Sequence, residues 1–270
     1  IEMLPNLLPG ADQDLVRPLA KHIEESFAGV LLECKVLEMR DENGALTVAY
    51  ETKGGERKEL VVDKALVAVG RQPVLDGVGL KNTGVQLTER GFVRVDPQMR
   101  TSVPNLFAIG DIVGQPMLAH KASHEGVVAV EAIAGKKTVF APRAIPAVVF
   151  THPEVAWCGL TETEAKAQGI AYEVLKFPWA ASGRATTFGR NEGLTKLIVA
   201  PEDGRILGVG ITGTNAGELI AQGAQAVEMG AVAEDLALTI HAHPTLSETL
   251  MEAAESFMGH STHYLGRKKR

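Results

Sequence analysis

Two short runs constrain the fold more than anything else in the chain. Ala65-Leu66-Val67-Ala68-Val69 ends at Gly70, and Leu106-Phe107-Ala108-Ile109 ends at Gly110-Asp111. Each is apolar at consecutive positions, so as a strand it has no polar face to offer to water. Such runs read as strands buried on both faces, the habit of parallel sheets covered by helices. The expected class for this half is α/β. Asp111, just past the end of its run, stands where open α/β sheets bind ligands and could accept hydrogen bonds from sugar hydroxyls. A turn or helix cap explains an aspartate there equally well.

Other elements follow from periodicity and punctuation. Leu15, Leu19, Ile23 and Phe27 recur at a helical interval behind Asp12 or Asp14 as cap, with Gly29 at the exit. Strand-like runs cover Val30 to Met39, Leu46 to Tyr50 and Lys58 to Val62, with hairpin turns at Asn43-Gly44 and Gly54-Gly55. A loop-rich crossing leads to a short strand at Phe92 to Asp96. A helix is expected from about Met117 to Ala134, closed by Gly135. Its start offers unpaired N–H groups and partial positive charge to an electron-rich ligand oxygen.

From Ile145 the texture changes. Thr161 to Glu164 can cap a short helix ended by Gly169, and strands are expected at Tyr172 to Phe177, Leu194 to Ala200 and Ile206 to Thr212. Helices at Gly217 to Met229 and Ala233 to Leu238, then a last one, complete an α+β unit: an antiparallel sheet with helices on one side. Before the last helix stands His241-Ala242-His243-Pro244-Thr245-Leu246-Ser247-Glu248. A histidine moves protons near neutral pH, a following proline is the main setting for a cis peptide bond, and Glu248 could hold one ring nitrogen and leave the other free. The same residues fit a capping box, with Thr245 as N-cap and Glu248 reaching back.

Composition narrows the function. A formal net charge of -6 argues against nucleic acid as main partner. The basic run Arg267-Lys268-Lys269-Arg270 reads as a solvated end. No apolar run is long enough to span a bilayer. Cys34 and Cys158 are far apart and in no metal-ligand spacing, so they read as buried thiols in a reducing compartment. No metal site is expected, and His120, Lys121 and His124 read as surface or lining residues.

Taken in order, the motifs resemble the C-terminal part of dihydrolipoamide dehydrogenase, a flavin disulfide reductase. The matches are Val69-Gly70-Arg71-Gln72-Pro73, Thr101 to Asp111, Met117-Leu118-Ala119-His120-Lys121-Ala122, and His241 to Thr245 with Glu248; Thr151-His152-Pro153-Glu154-Val155-Ala156 points the same way. The resemblance implies three parts: residues 1–72 from a Rossmann-like NAD domain, 73–144 from the central and FAD-binding domain, and 145–270 as an α+β interface domain of a homodimer. It implies that Asp111 with Gly110 binds the FAD ribitol, and that Met117, Leu118, Ala119 and His120 face the flavin pyrimidine edge. His243, oriented by Glu248, would take a proton from the dihydrolipoamide thiol and serve the partner subunit's flavin. Glu2 would bind the NAD ribose and disfavour NADP, and Gly70 would let the backbone approach that cofactor. Lipoyl domains of 2-oxoacid dehydrogenase or glycine cleavage complexes are the implied partners, in a bacterial cytoplasm or a mitochondrial matrix.

The departures are equally specific. The C-x4-C redox pair of this family does not occur in the 270 residues, and neither an FAD glycine fingerprint nor an NAD G-x-G-x-x-G stands ahead of the motifs above. Opening on Ile1-Glu2-Met3, the chain is expected to be a piece of a longer protein, inactive alone. Glutathione-type reductases share His-Pro-Thr and Glu but place basic residues where Glu2 stands. The reading of another class is a non-catalytic dimerisation fragment.

Overall fold

The computed structural model describes residues 1–42 and 44–264. In chain order the elements are α1 (Gln13–Ser26), β1 (Lys35–Glu42), β2 (Ala45–Glu51), β3 (Arg57–Val62), α2 (Ala119–Ile133), β4 (Ala147–Val149) and β5 (Glu154–Gly159). There follow α3 (Glu162–Gln168), β6 (Glu173–Pro178), α4 (Gly183–Phe188), β7 (Leu194–Val199), β8 (Ile206–Gly213), α5 (Ala216–Met229), α6 (Ala233–Leu238) and α7 (Glu248–Glu255). Two compact units result. One joins residues 1–65 to the residues from Arg143 onward, and the other is Leu66–Pro142.

The first unit holds two antiparallel sheets, β1-β2-β3 and β4-β5-β8-β7-β6. Alternation along β5 divides the second core: Ala156 and Cys158 join the cluster around Trp179, Phe177, Ile211, Ile220 and Leu250, while Val155 packs with Ala11, Leu15, Val16 and Leu19. The sheet is therefore covered on both faces, with α5 and α7 on one and α1 on the other. The expectation of helices on one side fails because α1, from far upstream in sequence, lies on β5 and β8. Gly210 makes that approach possible, since a Cβ there would lie 2.3 Å from a Leu15 methyl.

Thr161 forms the capping box expected of α3, its hydroxyl accepting from the Glu164 N–H at 3.1 Å while Glu164 accepts from the Thr161 N–H at 2.9 Å. The expected strand at Val30 begins only at Lys35, and the expected turn residue Asn43 and the basic run Arg267 to Arg270 lie outside the described residues. Both cysteines are buried and unpaired, and burial pushes the Cys158 thiol up to about 12.

The second unit corrects the reading of the two apolar runs. Residues 65–69 form no strand, and Leu66 and Val69 are each 92% exposed. Phe107 and Val93 make single bridges, to Arg100 and Leu87, in place of the strands expected at 106–109 and 92–96. A parallel strand exists only against neighbours, and among the described residues this unit contains no sheet to receive one. The apolar pattern records a preference for burial that the unit satisfies in part at 106–108, where Ala108 is buried, and leaves unmet at Leu66 and Val69. No described helix is long and apolar enough to cross a membrane.

Candidate active site

His243 sits in the loop between α6 and α7. Its Nδ1–H donates to Glu248 Oε1 at 2.8 Å, and the other carboxylate oxygen, Oε2, accepts from the Thr245 N–H at 2.6 Å. The two readings of this stretch thus coexist in one side chain. Glu248 reaches back as a capping residue and also fixes the imidazole, although the N-cap is Ser247 and not Thr245. Because an ionised carboxylate only accepts, Nδ1 carries the proton of the neutral ring, whose lone pair is then on Nε2. The His243 side chain is 71% exposed, so that lone pair is accessible, and the His243–Pro244 peptide is cis.

The neighbouring His241 is excluded by its partners. Its Nδ1 donates to the Thr239 carbonyl at 2.7 Å and its Nε2 accepts from the Gln222 amide at 2.7 Å, leaving no nitrogen for chemistry. The motif holds one tethered structural histidine and one with a free nitrogen.

A buried chain of hydrogen bonds underlies the loop. Trp179 Nε1–H donates to Thr195 Oγ1 at 3.0 Å, Thr195 donates to Thr249 Oγ1 at 2.8 Å, and Thr249 donates to the Leu246 carbonyl at 2.7 Å. An indole can only donate and a carbonyl can only accept, so the chain runs in one direction. It fixes the first turn of α7 and the residue two before Glu248. Thr249→Val keeps the shape but leaves the buried Thr195 hydroxyl without its acceptor, and a urea titration should find unfolding easier by about 1–3 kcal/mol.

In the second unit, Gly110–Ile112 forms a single 3-10 turn that carries Asp111. Gly110 takes φ +78°, and a Cβ there would stand 3.3 Å from that of Ala122 on α2. Its N–H donates to Glu125 Oε2 at 2.7 Å; Lys121 Nζ, 2.8 Å from Glu125 Oε1, also donates to the Gly114 carbonyl at 3.2 Å. Lys121 is therefore buried, not the surface or lining residue expected, because it clamps the 110–114 turn onto α2. Asp111 stays exposed, with Arg71 3.9 Å away. Met117 is buried, Leu118 is the N-cap without a side-chain cap, and Ala119 and His120 open the helix facing solvent. An exposed carboxylate, a glycine in close packing and an uncapped helix start fit a polyhydroxyl ligand with an electron-rich ring.

Two candidates remain. Glu2 Oε1 accepts from the Leu4 N–H at 2.7 Å, leaving its second oxygen for a ligand. Gly70 takes φ +101° with open space around it.

One charged cluster escaped sequence reasoning. Lys196, wholly buried in β7, places Nζ 2.8 Å from Asp12 Oδ2, 2.9 Å from Asp14 Oδ1 and 2.5 Å from Glu162 Oε1. Lys176 adds a contact of 2.6 Å to Asp14. The three carboxylates are close enough together to hold a cation, but the lysine ammonium occupies that place. Asp12 or Asp14 was expected to cap α1; Asp12 holds the N-cap position, but its carboxylate accepts instead from the N–H groups of Glu162 and Thr163, at 3.0 and 3.3 Å, and caps α3. The sequence signal was a lysine inside an otherwise apolar strand.

With this geometry in place, comparison with known proteins is direct. Residues 1–126 match the model of the pyridine nucleotide-disulphide oxidoreductases, and residues 145–254 match the dimerisation domain of the same proteins. The chain is 51% identical over 259 residues to a dihydrolipoyl dehydrogenase of Vibrio cholerae, covering 96% of this chain and 54% of that protein. It is 47% identical over 268 residues to one from Thermus scotoductus, covering 99% of this chain and 58% of the other. Among solved structures it is similar to LpdA from Mycobacterium tuberculosis (TM-score 0.86, 26% identity, 95% of this chain and 55% of that one). It is also similar to the HOCl-induced flavoprotein disulfide reductase RclA from Escherichia coli (TM-score 0.84, 25% identity, 94% and 57%). The chain spans little more than half the length of the relatives it matches. Its motifs, its fold and these matches agree: the chain belongs to the pyridine nucleotide-disulphide oxidoreductases, within which its matched relatives are dihydrolipoyl dehydrogenases.

Proposed function

We propose that the chain forms the C-terminal part of an FAD- and NAD-dependent dihydrolipoyl dehydrogenase, which oxidises the dithiol of a lipoyl group to its disulfide. The observation that carries this reading is His243, with Nδ1 tethered to Glu248 and Nε2 free. A thiol is a poor nucleophile until deprotonated. Nε2 takes the thiol proton, and the Glu248 carboxylate stabilises the imidazolium that forms. Tethering at Nδ1 keeps the accepting nitrogen at one edge of the ring, so the proton is taken at a defined position.

FAD, when bound, supplies the two-electron relay between a dithiol and NAD. Asp111 would accept hydrogen bonds from its ribitol hydroxyls, and Gly110 keeps that turn close against α2. The N–H groups of the first turn of α2, from Ala119 and His120, would face the pyrimidine edge with Met117 and Leu118 behind them, and the helix dipole would favour negative charge there. Glu2 would accept from the ribose hydroxyls of NAD, and Gly70 would leave room for the backbone to approach it.

Residues 145–270 serve in this reading as the interface of a homodimer. Phe150, Leu238 and Ile240, exposed by 81%, 70% and 97%, support it, because apolar side chains of that size are costly to leave in water. Residues 1–72 and 73–144 would belong to the NAD and the central and FAD domains. Lipoyl domains of 2-oxoacid dehydrogenase or glycine cleavage complexes would deliver the dithiol, in the cytoplasm or the mitochondrial matrix. The 270 residues alone should not turn over.

The test is a visible spectrum and a steady-state assay on the full-length protein containing this chain. Flavin bands and NADH formation from dihydrolipoamide are expected. A flavin-free protein that ignores dihydrolipoamide would end this reading and leave a dimerisation fragment as the alternative.

A further inference from the structure

The cleft beside His243 contains a second imidazole held by a second carboxylate. It encloses about 430 Å³, with Phe177, Ala181, Ser182, Gly183 and Thr186 on one wall. The other wall is made by His243, Glu248, Thr249, Glu252 and His263. Glu248 and Glu252 stand four residues apart on α7, one turn above the other on the same helix face. As Glu248 holds His243, so Glu252 holds His263.

The His263 Nδ1–H donates to Glu252 Oε1. Oε2 accepts from the Ser261 hydroxyl at 2.6 Å and from the His263 N–H at 3.2 Å. The Glu252 side chain is 4% exposed and that of His263 is 53% exposed. The negative end of the pair is walled in, and its positive end borders the opening. A buried carboxylate satisfied three times over is not residual surface charge.

The two imidazoles differ in what they offer. The groups acting on His263 are Glu252 first, with Glu248 and Glu255 also on α7; the facing wall is uncharged. The Glu252 hydrogen bond holds the imidazole above the usual histidine range, against a smaller opposing effect of burial. On Glu252, burial pushes the carboxyl upward, but the hydrogen bonds from Ser261 and His263 outweigh it and hold the group below its usual range. With Nδ1 committed to Glu252, the second proton of the cation sits on Nε2. As the cation, His263 therefore presents an Nε2–H to the cleft.

We propose that His263, held by Glu252, is a ligand-binding group of the His243 cleft: its Nε2–H donates to an oxygen acceptor, a carbonyl or carboxylate, on the chain of the dithiol whose thiol proton His243 takes. The partly buried methyl of Ala181, backed by the core ring of Phe177, gives the apolar surface for intervening methylenes. The inference rests on the dithiol reading above and adds what the substrate must carry besides sulfur.

The test compares dihydrolipoamide with propane-1,3-dithiol, which has no oxygen, in the full-length holoenzyme and its His263→Ala variant. His263 is half exposed, so the variant should fold. The kcat/KM for dihydrolipoamide should fall about 10-fold more than that for propane-1,3-dithiol, chiefly through KM, as for one lost charged hydrogen bond. In the unaltered enzyme the preference for dihydrolipoamide should decline as pH rises through the imidazole range. Glu252→Gln should move that decline to lower pH, because it removes the charge that favours the imidazolium. Equal losses with the two dithiols, or a preference that ignores pH, would overturn the proposal. If neither dithiol is turned over, the dehydrogenase reading fails separately. Addition of lipoamide then decides this inference by NMR: a shift of the His263 ring signals supports it, and unmoved signals refute it.

Discussion

His243→Gln in the full-length enzyme should slow oxidation of dihydrolipoamide by about 10²-fold or more, with flavin content unchanged. Glutamine can donate and accept a hydrogen bond but cannot hold a proton in transit. The loss should appear in kcat and kcat/KM alike, because the interaction matters only as the thiol ionises. The rate loss is the decisive observation, since the capping reading of the same residues, in which His243 takes no part, predicts an unchanged rate. Glu248→Gln should cost less. Its amide oxygen can still accept from His243 Nδ1 or from the Thr245 N–H, 2.6 Å from the carboxylate in the unaltered chain, but the stabilisation of the imidazolium is gone. Turnover unchanged by His243→Gln would remove the acid–base assignment altogether.

The second large effect is on stability. Lys196→Met should destabilise the unit formed by residues 1–65 and the residues from Arg143 onward by about 3–5 kcal/mol, the cost of leaving buried charge without its counterion. Asp14 retains Lys176 and Glu162 keeps only Lys166 at 3.9 Å, while Asp12 loses its ammonium. The pH dependence has a definite sign. Burial would raise the Asp14 carboxyl, yet hydrogen bonds from Lys176 and Lys196 outweigh it and hold the group below its ordinary 3.8. Its contribution is therefore complete above pH 3.8 and is lost as pH falls through the depressed value. Burial would lower the Lys196 amine, yet its bonds to Asp12, Glu162 and Asp14 hold it above 10.5, so its contribution is lost only as strong alkali titrates it. Thermal melts should be flat through neutrality and fall at both extremes. In Lys196→Met the Asp14 carboxyl is less depressed, so the acid fall should be shallower, and an acid limb as steep as that of the unaltered chain would show that the cluster does not couple to folding.

Much of this was legible because it was local. The capping box at Thr161, the hairpin of β7 and β8 and the pairing of His243 with Glu248 lie within a few residues of their partners, where spacing is nearly geometry. The apolar runs at 65–69 and 106–109 were misread for the opposite reason. Pattern reports that a segment seeks burial, but only neighbouring strands decide whether it pairs. Asp12 shows the same limit from the polar side. An aspartate before a helix is a cap by local rule, and here a buried lysine 184 residues away and the start of α3 compete for it. Glu252 carried no signal beyond its spacing from Glu248, and the partner that distinguishes it lies 11 residues downstream.

Trp179, at the donor end of the buried hydrogen-bonded chain, is bordered by two glycines. A Cβ on Gly193 would fall 2.2 Å from the indole, and one on Gly213 would fall 2.3 Å from it. Neither glycine can gain a side chain while the tryptophan stays, and the tryptophan cannot shrink without opening a void and freeing the Thr195 hydroxyl. As a path through sequence space, the three positions form a closed room. Every single step out of it meets a collision or a cavity, so drift there requires coordinated replacement of the set. The loop that carries His243 inherits that restriction through residues it never touches.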